Sequence, residues 1–271
     1  TLTRAKIAEV YILQNDNEKA SGELKEIVAL QPDNVDYRKK YGETLYKLKK
    51  YGMASRQYET ALTRQPNDAD ALIGLARSFL AERNILQALQ KLKDSQDKLK
   101  GDARIWYYIG VSNRELERLT EAEEALRTAI KTDPNYLDPY LALAGVLTKQ
   151  YREKDAQAVL NQARLISKES PEVAYGLAEI DLNGKEIKKA IGAMVSVLKE
   201  HPDFYKGYFL LGRAYLEGGY LKEAMEALNR AYEKQPNIDG LTLAIGRTLY
   251  EMEDYDKSIE FLNRSVKELP D

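Results

Sequence analysis

The chain has 271 residues, with 41 Lys and Arg against 43 Asp and Glu, one His and no Cys. Its 44% hydrophobic and 31% charged residues give enough apolar mass for a folded core and too much for a disordered chain. The near-neutral balance argues against a nucleic-acid partner, which needs a basic face. The absence of Cys excludes disulfides, thiolate zinc sites and Cys nucleophiles, and a lone His excludes His-pair metal motifs. No apolar run approaches the roughly 18 residues of a membrane span. Thr1 is not Met, which predicts a fragment or a processed form, and a Cys-free chain suits cytoplasm and bacterial periplasm alike.

Along the chain the same signals return every 34 residues. Six of the eight prolines are Pro32, Pro66, Pro134, Pro202, Pro236 and Pro270, separated by multiples of 34 and each followed by Asp or Asn. Pro cannot continue a helix, and the following Asx is expected to cap the next one through its side-chain oxygen. Ala20, Ala54, Ala88, Ala122, Ala156, Ala190 and Ala224 form a second column at the same step, with Ser258 in the eighth place. A third column of small residues runs Ala8, Gly42, Ala76, Gly110, Ala144, Ala178, Gly212 and Gly246, and a fourth begins Ile27, Ala61, Ser95, Ala129. Small side chains at fixed phase let helix backbones approach closely, and a fixed period of this length marks a stack of helical hairpins.

The helices expected from these columns come in pairs. In the second helix of the fourth repeat, Ala122, Leu126 and Ala129 follow helical spacing, and Thr120 with Glu123 reads as a capping box. In the third repeat Lys100 stands where Pro is expected, and Gly101-Asp102 is expected to make the turn. In the fifth, Lys168 stands there, so the second helix is predicted to run on to Ser170 before Pro171.

This pattern resembles the tetratricopeptide repeat (TPR) family. Trp106, Tyr140 and Tyr208 occupy the bulky fourth place of the repeat. Tyr58, Leu92, Leu126, Leu160 and Leu228 occupy the aromatic-or-Leu place 24. The resemblance covers the whole chain as eight repeats, 1–34, 35–68, 69–102, 103–136, 137–170, 171–204, 205–238 and 239–271. It implies an all-α fold, a right-handed alpha-solenoid superhelix of antiparallel helix pairs in one domain. First helices would line a concave face and second helices the convex back. It also implies a non-enzymatic scaffold or adaptor holding a partner peptide or protein in that groove, without cofactor. The alternative is the partner-recruiting arm of a larger enzyme or secretion complex.

Chemistry-bearing motifs point the same way. There is no Gly-rich phosphate loop and no nucleophile elbow. His201 precedes Pro202 in a last helical turn, where a dipole contact accounts for it, and Trp106 is expected in the core. Asp16-Asn17 lack the spacing of a calcium loop. The sequon at Asn263 falls within an expected helix.

The resemblance assigns places 2, 5, 6, 9, 12 and 13 of each repeat to the groove. Basic and acidic residues there nearly balance, again unlike a phosphate channel. The chaperone-type carboxylate clamp of some TPR grooves is not reproduced: its best candidate, Lys39, is followed by Glu43, which would repel a carboxylate. Place 6 carries no Asn, so the Asn ladder of the protein-sugar transferases is missing too. What stands out is an aromatic and apolar stretch made by Tyr107, Tyr108, Leu141, Tyr175, Phe209 and Leu210. Arg104 and Arg114 flank it on one side, and Lys206, Arg213 and Arg247 on the other, with Arg77 also on the groove face. These twelve residues are the expected partner-binding surface, since Tyr and Arg anchor interfaces most often. The last helix carries Ile259, Phe261, Leu262, Val266 and Leu269, which predicts either a further helix or self-association through that end.

Overall fold

Helices of 11 to 14 residues alternate with tight turns along the whole of the computed structural model, which describes residues 2–268. The first four hairpins pair α1 (Leu2–Leu13) with α2 (Asn17–Leu30), α3 (Val35–Lys47) with α4 (Tyr51–Arg64), α5 (Ala69–Ala81) with α6 (Ile85–Gln96), and α7 (Ala103–Glu115) with α8 (Leu119–Thr132). The fifth repeat holds α9 (Leu137–Lys149) and α10 (Glu153–Ile166). Then α11 (Pro171–Asn183) pairs with α12 (Ile187–Glu200), α13 (Tyr205–Glu217) with α14 (Leu221–Lys234), and α15 (Leu241–Glu251) with α16 (Tyr255–Glu268). The described residues contain no strand. Helices this short are marginal alone in water, so burial between neighbours holds each of them.

The chain packs as two compact units, Thr1–Gln150 and Tyr151–Asp271. In the first, a continuous apolar core runs from Ala5 to Ala125; in the second, another runs from Ala178 to Leu249. Within each unit a helix touches the helices before and after it, and successive first helices also meet.

The columns read from the sequence are the packing points. All seven Ala of the second column are completely buried. A Cβ added to Gly110 or Gly212 would stand 2.6 Å from Leu126 or Leu228 at place 24, so glycine there sets how closely the two helices of a hairpin approach. Ser258, in the Ala column, is 1% exposed and donates its hydroxyl to the Gly246 carbonyl at 2.8 Å, which satisfies the polar atom that burial would otherwise penalise.

The turn within each repeat has one backbone solution. Asn15, Lys49, Arg83, Glu117, Tyr151, Lys185 and Glu253 have φ between 56° and 64°, and Gly219 has φ 77°. These eight residues stand 34 apart. The N–H of the next residue reaches back across the turn to the first helix, as from Lys50 to Leu45 at 2.9 Å and from Tyr220 to Tyr215 at 2.9 Å. That closes the free carbonyls of the first helix in the manner of a Schellman cap.

Several local expectations are corrected. The N-cap between repeats falls one residue after the Pro-Asx pair: Asn34 accepts from Tyr37 N at 3.1 Å and Asp68 from Ala71 N at 2.8 Å. Pro and Asx fill the turn itself, and the next residue takes the extended cap geometry. Thr120 and Glu123 form no capping box, because α8 already begins at Leu119 behind Arg118. The second helix of the fifth repeat stops at Ile166 and does not reach Ser170, which instead caps α11 with Pro171 in its first turn. The turn at Gly101-Asp102 forms as expected, with Asp102 accepting from Arg104 N at 3.0 Å. Trp106 is only partly buried, its indole N–H donating to the Lys100 carbonyl at 3.0 Å. In α16, Ile259 and Val266 are 58% and 73% exposed while Phe261 and Leu262 are partly buried. Leu269, Pro270 and Asp271 lie outside the described residues.

Candidate functional site

In the first unit the anticipated surface residues stand on α5, α7 and α9, beside α3. The guanidinium of Arg77 lies 4.4 Å from the Tyr46 ring centre and 3.1 Å from Glu43 Oε2. Partial burial works against its charge, but Glu43, Tyr108 and Tyr46 outweigh that and hold it firmly protonated. Arg104 donates to Asp102 at 2.6 Å and to Asp70, one repeat back, at 2.8 Å. Tyr107 stands edge-on to Tyr108 at 4.9 Å and to Tyr136 at 5.4 Å. Burial, with Asp138 adding to it, pushes the Tyr107 hydroxyl up to about 12. The same causes raise Tyr136, so these phenols are neutral donors at neutral pH. Leu141 is half-buried on α9, and Arg114 pairs with Glu115 at 2.9 Å.

A residue not anticipated here is Tyr58. It belongs to a second helix, α4, but passes between Gly42 of α3 and Gly74 of α5. Its hydroxyl then donates to Glu43 Oε2 at 3.3 Å, on the first-helix side. It forms the back of a cavity of about 320 Å³ rimmed by Lys39, Lys40, Asp70, Arg77 and Arg104. The signal was in the sequence: Tyr replaces Leu at place 24 only where glycine stands both at 42 and at 74. Lys39 in that rim is held by Asp68 at 2.7 Å, and Glu43 is engaged by Arg77 and Tyr58, so no clamp for a terminal carboxylate stands free.

The second unit carries a larger opening of about 410 Å³ on α11, α13 and α15. Tyr175 donates to Glu179 at 3.4 Å, and burial, then the Glu179 charge, raises its hydroxyl well above the usual phenol range. Arg213 reaches the same Glu179 oxygen at 3.4 Å and stands 5.7 Å from the Phe209 ring centre. Arg213 and Arg247, at the same place of consecutive repeats, both line this opening. Arg247 is exposed and has no carboxylate partner among the described residues. Leu243, 38% exposed, lies beside it. Lys206 is exposed on α13. One member of the expected surface is corrected: Leu210 is completely buried, packed within the apolar core that runs from Ala178 to Leu249. Phe209, at 8% exposure, offers the cavity only an edge.

Paired helices on a 34-residue frame, small residues at each crossing and a first-helix face studded with Tyr and Arg define a tetratricopeptide repeat protein. Helical-repeat domains of this class are protein-interaction scaffolds. The chain belongs to the family described as the Cilia and flagella-associated protein 70 C-terminal domain, whose model matches residues 13–241, and a further tetratricopeptide repeat model matches residues 243–268. A curated relative, Hsp70-Hsp90 organizing protein 1 of Glycine max, is 29% identical over 125 residues, covering 45% of this chain and 21% of its own length. The chain thus spans about a fifth of that relative. Among solved structures, a tetratricopeptide repeat protein from Parabacteroides merdae aligns with a TM-score of 0.76 at 15% identity, covering 91% of this chain and 98% of its own. The Cut9–Hcn1 hetero-tetramer of the APC/C aligns at 0.73 and 17% identity, over 99% of this chain and 53% of that one. Yeast Tom70 aligns at 0.70 and 16% identity, over 95% and 56%. These likenesses show a shared fold. Among the described residues no helix is long and apolar enough to cross a membrane.

Proposed function

We propose that the protein is a non-enzymatic scaffold that seats a segment of a partner protein on its first helices, with the opening around Arg213 and Arg247 as the principal contact. The observation that carries this reading is Arg247: an unpaired cation, beside exposed Leu243, at the edge of an aromatic-walled cavity. A carboxylate of the partner would complete it, while an apolar side chain would cover Leu243 and the edge of Phe209. In the other unit Tyr107 and Tyr108 supply rigid, neutral donors of the kind that anchor interfaces. The ion pairs around them are part-exposed and individually weak, so an incoming acidic group can exchange with Glu43 or Asp70 at small cost.

The reading is tested with a photo-crosslinking residue at Leu243 and the double charge reversal R213E/R247E. A partner crosslinked at Leu243 is expected to bind the double variant at least tenfold more weakly, with unchanged helicity by circular dichroism. Equal binding to both proteins would assign the partner to another face.

A further inference from the structure

A second opening in the unit 151–271 lies away from the face just described. It has a volume of about 380 Å³ and sits where α10 meets α11 and α12. Its origin is in the sequence. Place 28 of the repeat is Val28, Leu62, Ile130, Leu198, Tyr232 and Val266 in repeats 1, 2, 4, 6, 7 and 8 and the neutral Gln96 in the third, and in the fifth it is the charged Arg164. Arg164 is exposed and does not fill the junction. Of all the second helices, α10 lies least closely on the first helix that follows it. The consequence shows at place 7 of the next repeat: Tyr41, Leu75, Ile109, Leu143, Leu211 and Ile245 are all buried, whereas Leu177 stays partly open.

The opening has an apolar floor of Leu177, Ala174 and Ala193, and a cationic rim. Lys189 on that rim is paired with Asp181 at 2.6 Å. Arg164 and Lys168 have no carboxylate partner among the described residues. Arg164 lies in the last turn of α10, which ends at Ile166, and Lys168 lies in the turn that follows it. Three cations against one carboxylate, around small apolar side chains, call for an acidic and partly aliphatic occupant. A fatty acid offers one carboxylate for two free cations and leaves one of them unmet. A peptide segment with two carboxylates and an aliphatic side chain meets both free cations and covers the apolar floor.

We infer that the junction of α10 with α11 and α12 is a second docking site, which binds a short acidic segment of a partner protein by an aliphatic anchor and a pair of carboxylates. This site is independent of the first-helix face. The probe is a fluorescein-labelled peptide of three Glu-Ala-Ala-Leu-Glu units, read by anisotropy against the full chain. Saturable binding is expected, at least tenfold weaker to R164E/K168E, weaker in 0.5 M salt, and weaker when Leu in the peptide is replaced by Ser. Because Arg164 and Lys168 are exposed, circular dichroism of the double variant should match the parent. R164L is expected to close the junction, raising the melting temperature while weakening the peptide. R247E should bind it unchanged. No binding at 1 mM peptide, binding that R164E/K168E and R164L leave intact, loss only with R247E, or saturable binding of dodecanoate by a protein that does not bind the peptide would each overturn the inference.

Discussion

The junction of the second and third repeats and that of the fifth and sixth use one frame to opposite ends. At the first, Tyr58 drives from α4 between two glycines, Leu62 packs below it, and α4 lies closer on α5 than any other second helix on its successor. At the second, Leu160 at place 24 reaches Gly176, but Arg164 leaves the space beneath it unfilled. The columns of small residues are intact at both. What separates a sealed junction from an open one is therefore the bulk presented by places 24 and 28. The repeat consensus fixes where helices cross, and its less constrained places decide whether anything else fits between them.

The contrast breaks most sharply at Tyr58. Y58A removes a 3% exposed aromatic and is expected to cost about 3–5 kcal/mol, read as a fall in the urea midpoint. Y58L, which restores the commoner residue of place 24, should lose clearly less. Next comes Gly74, where a Cβ would run into the Tyr58 ring. G74A should cost about 1–3 kcal/mol through overpacking, and the double change Y58L/G74A should recover part of that in a mutant cycle. An additive cycle would mean that the ring does not fill this gap. The smallest effect is in the turns. Glu117 has φ 56°, a conformation that costs a non-glycine residue about 1–2 kcal/mol, while glycine adds about 0.5–1 kcal/mol of unfolded-state entropy to lose. E117G is expected to stabilise by roughly 0.5 kcal/mol, visible as a small rise in melting temperature; a fall would show that the ion pair of Glu117 with Lys149 at 2.7 Å outweighs the backbone.

Much of this was legible in advance. The period, the crossings at Gly110 and Gly212 and the aromatic character of the first helices at Tyr107 and Tyr175 all follow from side-chain size at fixed phase, which a linear sequence displays directly. Capping was misplaced by one residue because Pro and Asx both belong to the turn, and only the backbone angles show that Asn34 or Asp68 is the first to take cap geometry. Leu210 was assigned to the surface because a place number gives a helix face only to within a residue's rotation. The left-handed turn was invisible for a different reason: Lys49, Arg83 and Tyr151 carry no preference for it, and the packed hairpin imposes it on them. Arg164 carries no signal of its own in the sequence, and its part is visible only with the helices on either side in place.

Those imposed turns leave something useful behind. Their side chains are exposed at Lys49, Arg83 and Lys185, one per repeat at an invariant step, and the chain contains no cysteine of its own. A cysteine introduced at two such corners, Lys49 and Arg83 for instance, could carry a pair of spin labels without disturbing a buried atom. The turns are thus ready-made ruler marks, from which the pitch of the stack could be read in solution with and without its guests.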